Sequence, residues 1–192
     1  MTAGRKNIDT VQHWCTPPHY VEAIRSFFGG TIELDPCSNS YSIVGAKVEL
    51  SLPKFDGLKA EWKAQSIFVN PPYGADRNRG TTIKNWLAKC LDANRKYNSE
   101  VVALVPVATN TRHWKDYVWG HATAIAFLFD TRLKFLVNGS SDTKGAPMSC
   151  ALVYWGPRVA EFDAAFSEFG AVVDLRDQLG RRFGRGKQIE LV

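Results

Sequence analysis

Cysteine is scarce and scattered in this 192-residue chain: Cys15, Cys37, Cys90 and Cys150 form no CxxC or CxxH grouping. That spacing excludes a zinc ribbon and, at this length, a disulfide framework, so free thiols and no metal are expected. Long apolar runs are missing too, and with them any candidate membrane span. The first ten residues are polar and hold no apolar core of a secretory leader, so a cytoplasmic protein is expected. There is neither an internal repeat nor a low-complexity tract. At 45% hydrophobic and 22% charged, the composition is that of an ordinary globular protein. A net charge of +5 suits a polyanionic partner without requiring one. The length fits one domain, which we place at 13–176, between a polar segment at 1–12 and a basic tail at 177–192. The run Arg181-Arg182-Phe183-Gly184-Arg185-Gly186-Lys187 reads as a solvated end ahead of a nucleic-acid contact.

What is present is an alternation of apolar patterns. Tyr20, Val21, Ile24, Phe27 and Phe28 fall at helical spacing before Gly29-Gly30, predicting a helix from Pro18. Strands are predicted over Thr31–Asp35, Ser66–Val69, Val101–Val105, Ala124–Phe129 and Ala171–Leu175, with a further short one within Lys47–Leu52. Helices are predicted through Ile83–Leu91, over Thr111–Trp119 and over Val159–Phe169. Arg132–Val137 and Met148–Trp155 read as two strands of a hairpin across the loop Asn138–Pro147. The expected fold class is α/β: a mostly parallel, doubly wound sheet with a C-terminal antiparallel hairpin, whose ligands bind beyond the carboxyl ends of the strands.

The sharpest chemical signal sits at one such end. Asn70-Pro71-Pro72-Tyr73 follows the apolar strand Ser66–Val69 directly. An exocyclic amine such as N6 of adenine is a poor nucleophile because its lone pair is delocalised into the ring. An Asn oxygen and the carbonyl of the next Pro can accept its two N–H bonds, drawing the hydrogens out of plane and stabilising charge as it develops on nitrogen. Pro71 and Pro72 stiffen the turn. Tyr73 offers a face for a base to stack on, a contact worth about 1 to 3 kcal/mol. By chance the tetrapeptide arises in a chain this long with a probability of about 0.1%, so the chemical reading outweighs that of a generic proline turn. The box alone leaves cytosine or amide nitrogen open as acceptor.

Further landmarks stand in order around it: Trp14-Cys15-Thr16-Pro17, Leu34-Asp35-Pro36-Cys37-Ser38, Asp56-Gly57-Leu58 with Trp62, then Leu104-Val105-Pro106, Arg132-Leu133-Lys134-Phe135 and Ala146-Pro147-Met148-Ser149. Together with the box they resemble the phage-type DNA adenine N6 methyltransferases over roughly residues 13 to 156. The resemblance implies a single-domain, Rossmann-like fold dependent on S-adenosylmethionine, with Asn70, Pro71, Pro72 and Tyr73 holding an adenine flipped out of DNA. It implies that Thr16 and Pro17 touch the methionine end of the cofactor and that Asp35, Pro36 and Ser38 form its loop. Asp56 or Glu49 would bind the adenosine hydroxyls. One departure is that Pro36 to Ser40 lacks the glycine-rich turn of general methyltransferases. If the chain is phage-encoded, its compartment would be the host cytoplasm.

Grip on DNA is expected from Arg77 and Arg79, next to the box, then from Arg112 and Arg132, with Lys115 and Lys144 behind them. Trp114 and Trp119 are expected in the core. The four histidines are expected to be structural or at the surface. A monomer is favoured. Two rival readings stay open: methylation of another planar nitrogen (cytosine N4, RNA or a protein glutamine), and a catalytically silent nucleic-acid-binding module.

Overall fold

The computed structural model describes residues 14–130, 133–141 and 148–180. Arg132, Lys144, the 1–12 segment and the tail from 181 onward therefore lie outside the described residues. In chain order the elements are β1 (Trp14–Cys15), α1 (Pro18–Phe27), β2 (Leu34–Asp35), β3 (Val48–Glu49), β4 (Ser66–Val69), α2 (Ile83–Tyr97), β5 (Glu100–Pro106), α3 (Arg112–Tyr117), β6 (Ala124–Leu128), β7 (Leu136–Val137), β8 (Ser140–Ser141), β9 (Cys150–Trp155), α4 (Val159–Phe166) and β10 (Gly170–Asp174).

Seven strands form a central sheet in the order β10-β6-β9-β5-β4-β2-β3. Its faces follow the alternation of side chains along each strand. Phe68, Val102, Leu104, Leu152 and Tyr154 point to one face, where α1 and α4 cover them with Ile24, Phe27, Phe162 and Phe166. Ile67, Val69, Val101, Ala103, Val105 and Val153 point to the other, under Trp86, Leu87 and Cys90 of α2 and Trp114 of α3. Both faces of β4 are thus sealed, which is why Ile67-Phe68-Val69 is an unbroken apolar run. Pro18 at the first turn starts α1, and Gly29 and Gly30, at φ of 75° and 95°, end it. Thr82 and Asn85 form a reciprocal capping box at the start of α2.

The expectation of a mostly parallel, doubly wound sheet is corrected. Only the β3-β2-β4-β5 half is parallel; β5-β9, β9-β6 and β6-β10 are antiparallel. The expected hairpin is also wrong in its partner. Cys150–Trp155 inserts between β5 and β6, while Leu136–Val137 leaves the main sheet and pairs with β1 and β8 in a separate three-stranded sheet. All six residues of β9 are buried, so its sequence has no polar face to choose between a hairpin at the edge and an interior slot.

Among the described residues no helix is long and apolar enough to cross a membrane. Nor do three His, Cys, Asp or Glu side chains gather there to hold a metal ion.

Candidate active site

Four parallel strands end on one side of the sheet, and the loops leaving β2, β3 and β4 wall a cleft of about 860 Å³. Pro36 to Ser40, Glu49 to Leu52 and Asn70 to Asp76 supply most of its lining, and Trp14 and Phe135 close it from the side of the small sheet. The box and the loop after the first main-sheet strand therefore meet in one cavity, as the strand-end argument requires.

Asn70 stands one residue beyond β4 and lines this cleft. Its amide nitrogen donates to the main-chain oxygen of Trp14 and to the hydroxyl of Thr16, both at 3.2 Å. A main-chain carbonyl only accepts, so nitrogen and not oxygen must face Trp14. The planar amide then turns Oδ1 away from both partners, which leaves it as the acceptor the side chain offers.

Tyr73 is half-buried and held at its far end, where the hydroxyl donates to the Leu104 carbonyl at 3.3 Å and lies 3.9 Å from Cys150 Sγ. Burial pushes its phenol well above the usual range, and the Cys150 thiol up to about 11. Both stay neutral at physiological pH. The Phe135 ring stands edge-on to Tyr73 at 5.9 Å and tilts against Trp14 at 5.4 Å, so three aromatic rings wall this corner.

Three acids surround the neighbouring part of the cleft in different states. Asp35 is buried behind it, with Oδ1 accepting from the Cys37 amide at 2.9 Å, and desolvation lifts its carboxyl to about 7. Glu49 lines the cleft, accepting from the Ser38 hydroxyl at 2.8 Å and the Ala46 amide at 3.1 Å. Asp56 also lines it, but Arg79 donates to its Oδ1 at 2.5 Å and reaches Asp76 at 3.7 Å. Beside it, Gly57 is packed so closely that a Cβ would sit 1.7 Å from the Pro36 oxygen. The buried Trp62 donates from its indole to the Gly57 carbonyl at 2.8 Å. That pair of contacts gives Asp56-Gly57-Leu58 and Trp62 their physical sense: they clamp the β3 loop against the β2 loop.

Of the residues proposed from sequence, Asn70, Pro71, Pro72, Tyr73, Pro36, Ser38 and Asp56 line the cleft. Thr16, Pro17 and Asp35 are buried beside or behind it. Arg77 is exposed and does not line the cleft, whereas Arg79 lines it and is locked between two carboxylates. Arg112 is elsewhere, in a second cleft of about 600 Å³ with Lys115 and Trp119, and pairs with Asp116 at 3.3 Å. Trp114 is fully buried, as the helical spacing predicts, while Trp119 is half-buried and edges that second cleft. Sequence reasoning gave no role to Phe135, to the Trp14 carbonyl or to the close approach at Gly57. The aromatic in Arg132-Leu133-Lys134-Phe135 carried a signal; a main-chain oxygen carries none.

Compared with known protein families, the chain matches the family model described as DNA N-6-adenine-methyltransferase (Dam) over residues 5–178. No match was found among curated proteins.

Proposed function

The chain belongs to the DNA N-6-adenine-methyltransferase (Dam) family, and from that premise we propose that it methylates N6 of an adenine flipped into the Asn70 to Tyr73 corner, with S-adenosylmethionine as donor. One observation carries this reading: the Asn70 amide nitrogen is occupied by Trp14 and Thr16, so its oxygen, with no partner among the described residues, is the atom left to accept. Asn70 Oδ1 takes one hydrogen of the adenine amine and the Pro71 carbonyl the other. Both oxygens stabilise positive charge as it grows on nitrogen. The anchored Tyr73 ring, with Phe135 beside it, supplies the stacking wall. Stacking of about 1 to 3 kcal/mol per ring is the right size to offset the few kcal/mol of extruding a base.

The residues present fit the donor. Glu49 presents a carboxylate oriented by Ser38 and Ala46, suited to a ribose diol, and Leu50, Leu52 and Phe55 form an apolar edge suited to an adenine ring. Asp56 is already engaged by Arg79, which leaves Glu49 as the carboxylate for the hydroxyls. Bound there, S-adenosylmethionine supplies an electrophilic methyl on a positively charged sulfonium. Arg77, exposed and four residues after Tyr73, is the phosphate contact nearest the box in sequence.

The test is transfer of labelled methyl to adenine-containing DNA, followed by digestion to nucleosides. Label is expected in N6-methyldeoxyadenosine. Asn70→Ala should lower turnover about 100-fold or more, the scale of a lost charge-stabilising group, with cofactor binding retained. Label in cytosine, RNA or protein instead would overturn the assigned acceptor, and undiminished turnover in Asn70→Ala would overturn the mechanism.

A further inference from the structure

We infer that Thr16 is a positioning residue for the Asn70 amide, acting through its hydroxyl. The inference rests on the reading of Asn70 as the acceptor of the amine. Thr16 is 2% exposed and is not part of the cleft wall, yet its Oγ1 lies 3.2 Å from Asn70 Nδ2. The resemblance by sequence places the same residue against the methionine end of the donor, so the two assignments differ in what they touch.

The amide group carries two hydrogens, and the two acceptors divide the task of fixing it. The Trp14 carbonyl settles which end of the amide faces inward, because an oxygen there would meet another oxygen. That single bond still lets the plane of the amide swing about its terminal torsion, which is soft for Asn. The second bond, to Thr16, pins the plane and with it the direction of Oδ1. Thr16 is itself held from both sides. Before it, β1 is paired with Val137 and Leu136 of β7; after it, the Pro17 carbonyl accepts from the Tyr20 and Val21 amides at the start of α1. A carboxamide 54 residues away is thus aimed by a turn fixed between two elements.

Thr16→Val keeps the volume and removes the acceptor. Its kcat, at saturating donor and DNA, should fall about tenfold, the scale of one hydrogen bond. Affinity for S-adenosylhomocysteine, measured by calorimetry, should stay within about twofold of the parent, since no cleft-lining group is lost. Thr16→Ser, which restores the oxygen, should recover kcat to within about twofold. An unchanged kcat in Thr16→Val would overturn the inference, and so would a loss confined to S-adenosylhomocysteine affinity, which would return Thr16 to the cofactor. Should circular dichroism show Thr16→Val unfolded, Thr16→Ser against Thr16→Ala decides: serine as slow as alanine would overturn it. An active Asn70→Ala would remove the underlying reading. An inactive Asn70→Ala beside a fully active Thr16→Val would remove this inference alone.

Discussion

Asp35 sits at the carboxyl end of β2, 4% exposed, and neutralising it should change how stability responds to pH. Burial is the main force lifting its carboxyl to about 7; the Cys37 amide pulls it down, and Glu49, its cross-strand neighbour, pushes it further up. In the unfolded chain the same carboxyl titrates near about 3.9. Between those values the folded protein keeps a proton that the unfolded chain has released, so stability falls as pH rises through the window and is undiminished below it. The gap corresponds to about 4 kcal/mol at pH 8, a large share of the roughly 5 to 15 kcal/mol that holds a domain together. Asp35→Asn removes the ionisation and keeps an oxygen that can accept from the Cys37 amide. Urea unfolding of both proteins should show the variant ahead by about 1 kcal/mol at pH 4.5 and about 4 kcal/mol at pH 8. A difference that stays constant between those pH values would refute the assignment of the buried proton to Asp35.

Two further outcomes follow from contacts around the cleft. Gly57→Ala would drive a methyl to 1.7 Å from a main-chain oxygen that has no flexible way to yield, so the β2 and β3 loops must separate. It should cost about 2 to 3 kcal/mol in thermal unfolding and weaken S-adenosylhomocysteine binding; a variant normal in both would disprove the clamp. Arg77→Ala and Arg79→Ala should part company despite their proximity. The first should reduce the salt slope of DNA binding by about one and leave stability alone. The second leaves Asp56 and Asp76 without their partner and should destabilise the fold by about 1 to 3 kcal/mol. Identical salt slopes for the two variants would contradict the division.

The box was legible because local sequence decides it. Ile67, Phe68 and Val69 put apolar side chains on both faces, and a run this short, β-branched and aromatic, ending before two prolines, reads as a buried strand. The strand-end logic then brought Pro36, Ser38 and Asn70 to one cleft without any knowledge of pairing. Pairing itself was not legible from β9, whose neighbours are chosen by which slot the chain can reach and not by its own residues. Asn138-Gly139, at φ of 50° and 79°, turns β7 into β8, the Asn-Gly pattern of a two-residue hairpin, inside a stretch read as loop. Thr16 illustrates the opposite limit: nothing near it in sequence points to Asn70, and only the folded chain puts its hydroxyl there.

The mixed sheet also divides the chemistry. The parallel half delivers the loops that wall the cleft, because parallel strands end together and their loops share one rim. Asp35, Glu49 and Asn70 all leave that rim. The antiparallel strand β9 runs the other way, so it begins at the rim where β5 ends. Its first residue, Cys150, therefore comes against the Tyr73 hydroxyl, next to the Leu104 carbonyl of β5 that accepts from it. A parallel strand in that slot would bring its start to the opposite edge and leave the phenol without this buried neighbour. The departure from a mostly parallel sheet is thus tied to the seating of the aromatic wall, while the Asn70 amide, at the end of a parallel strand, is held by β1 and the turn after it.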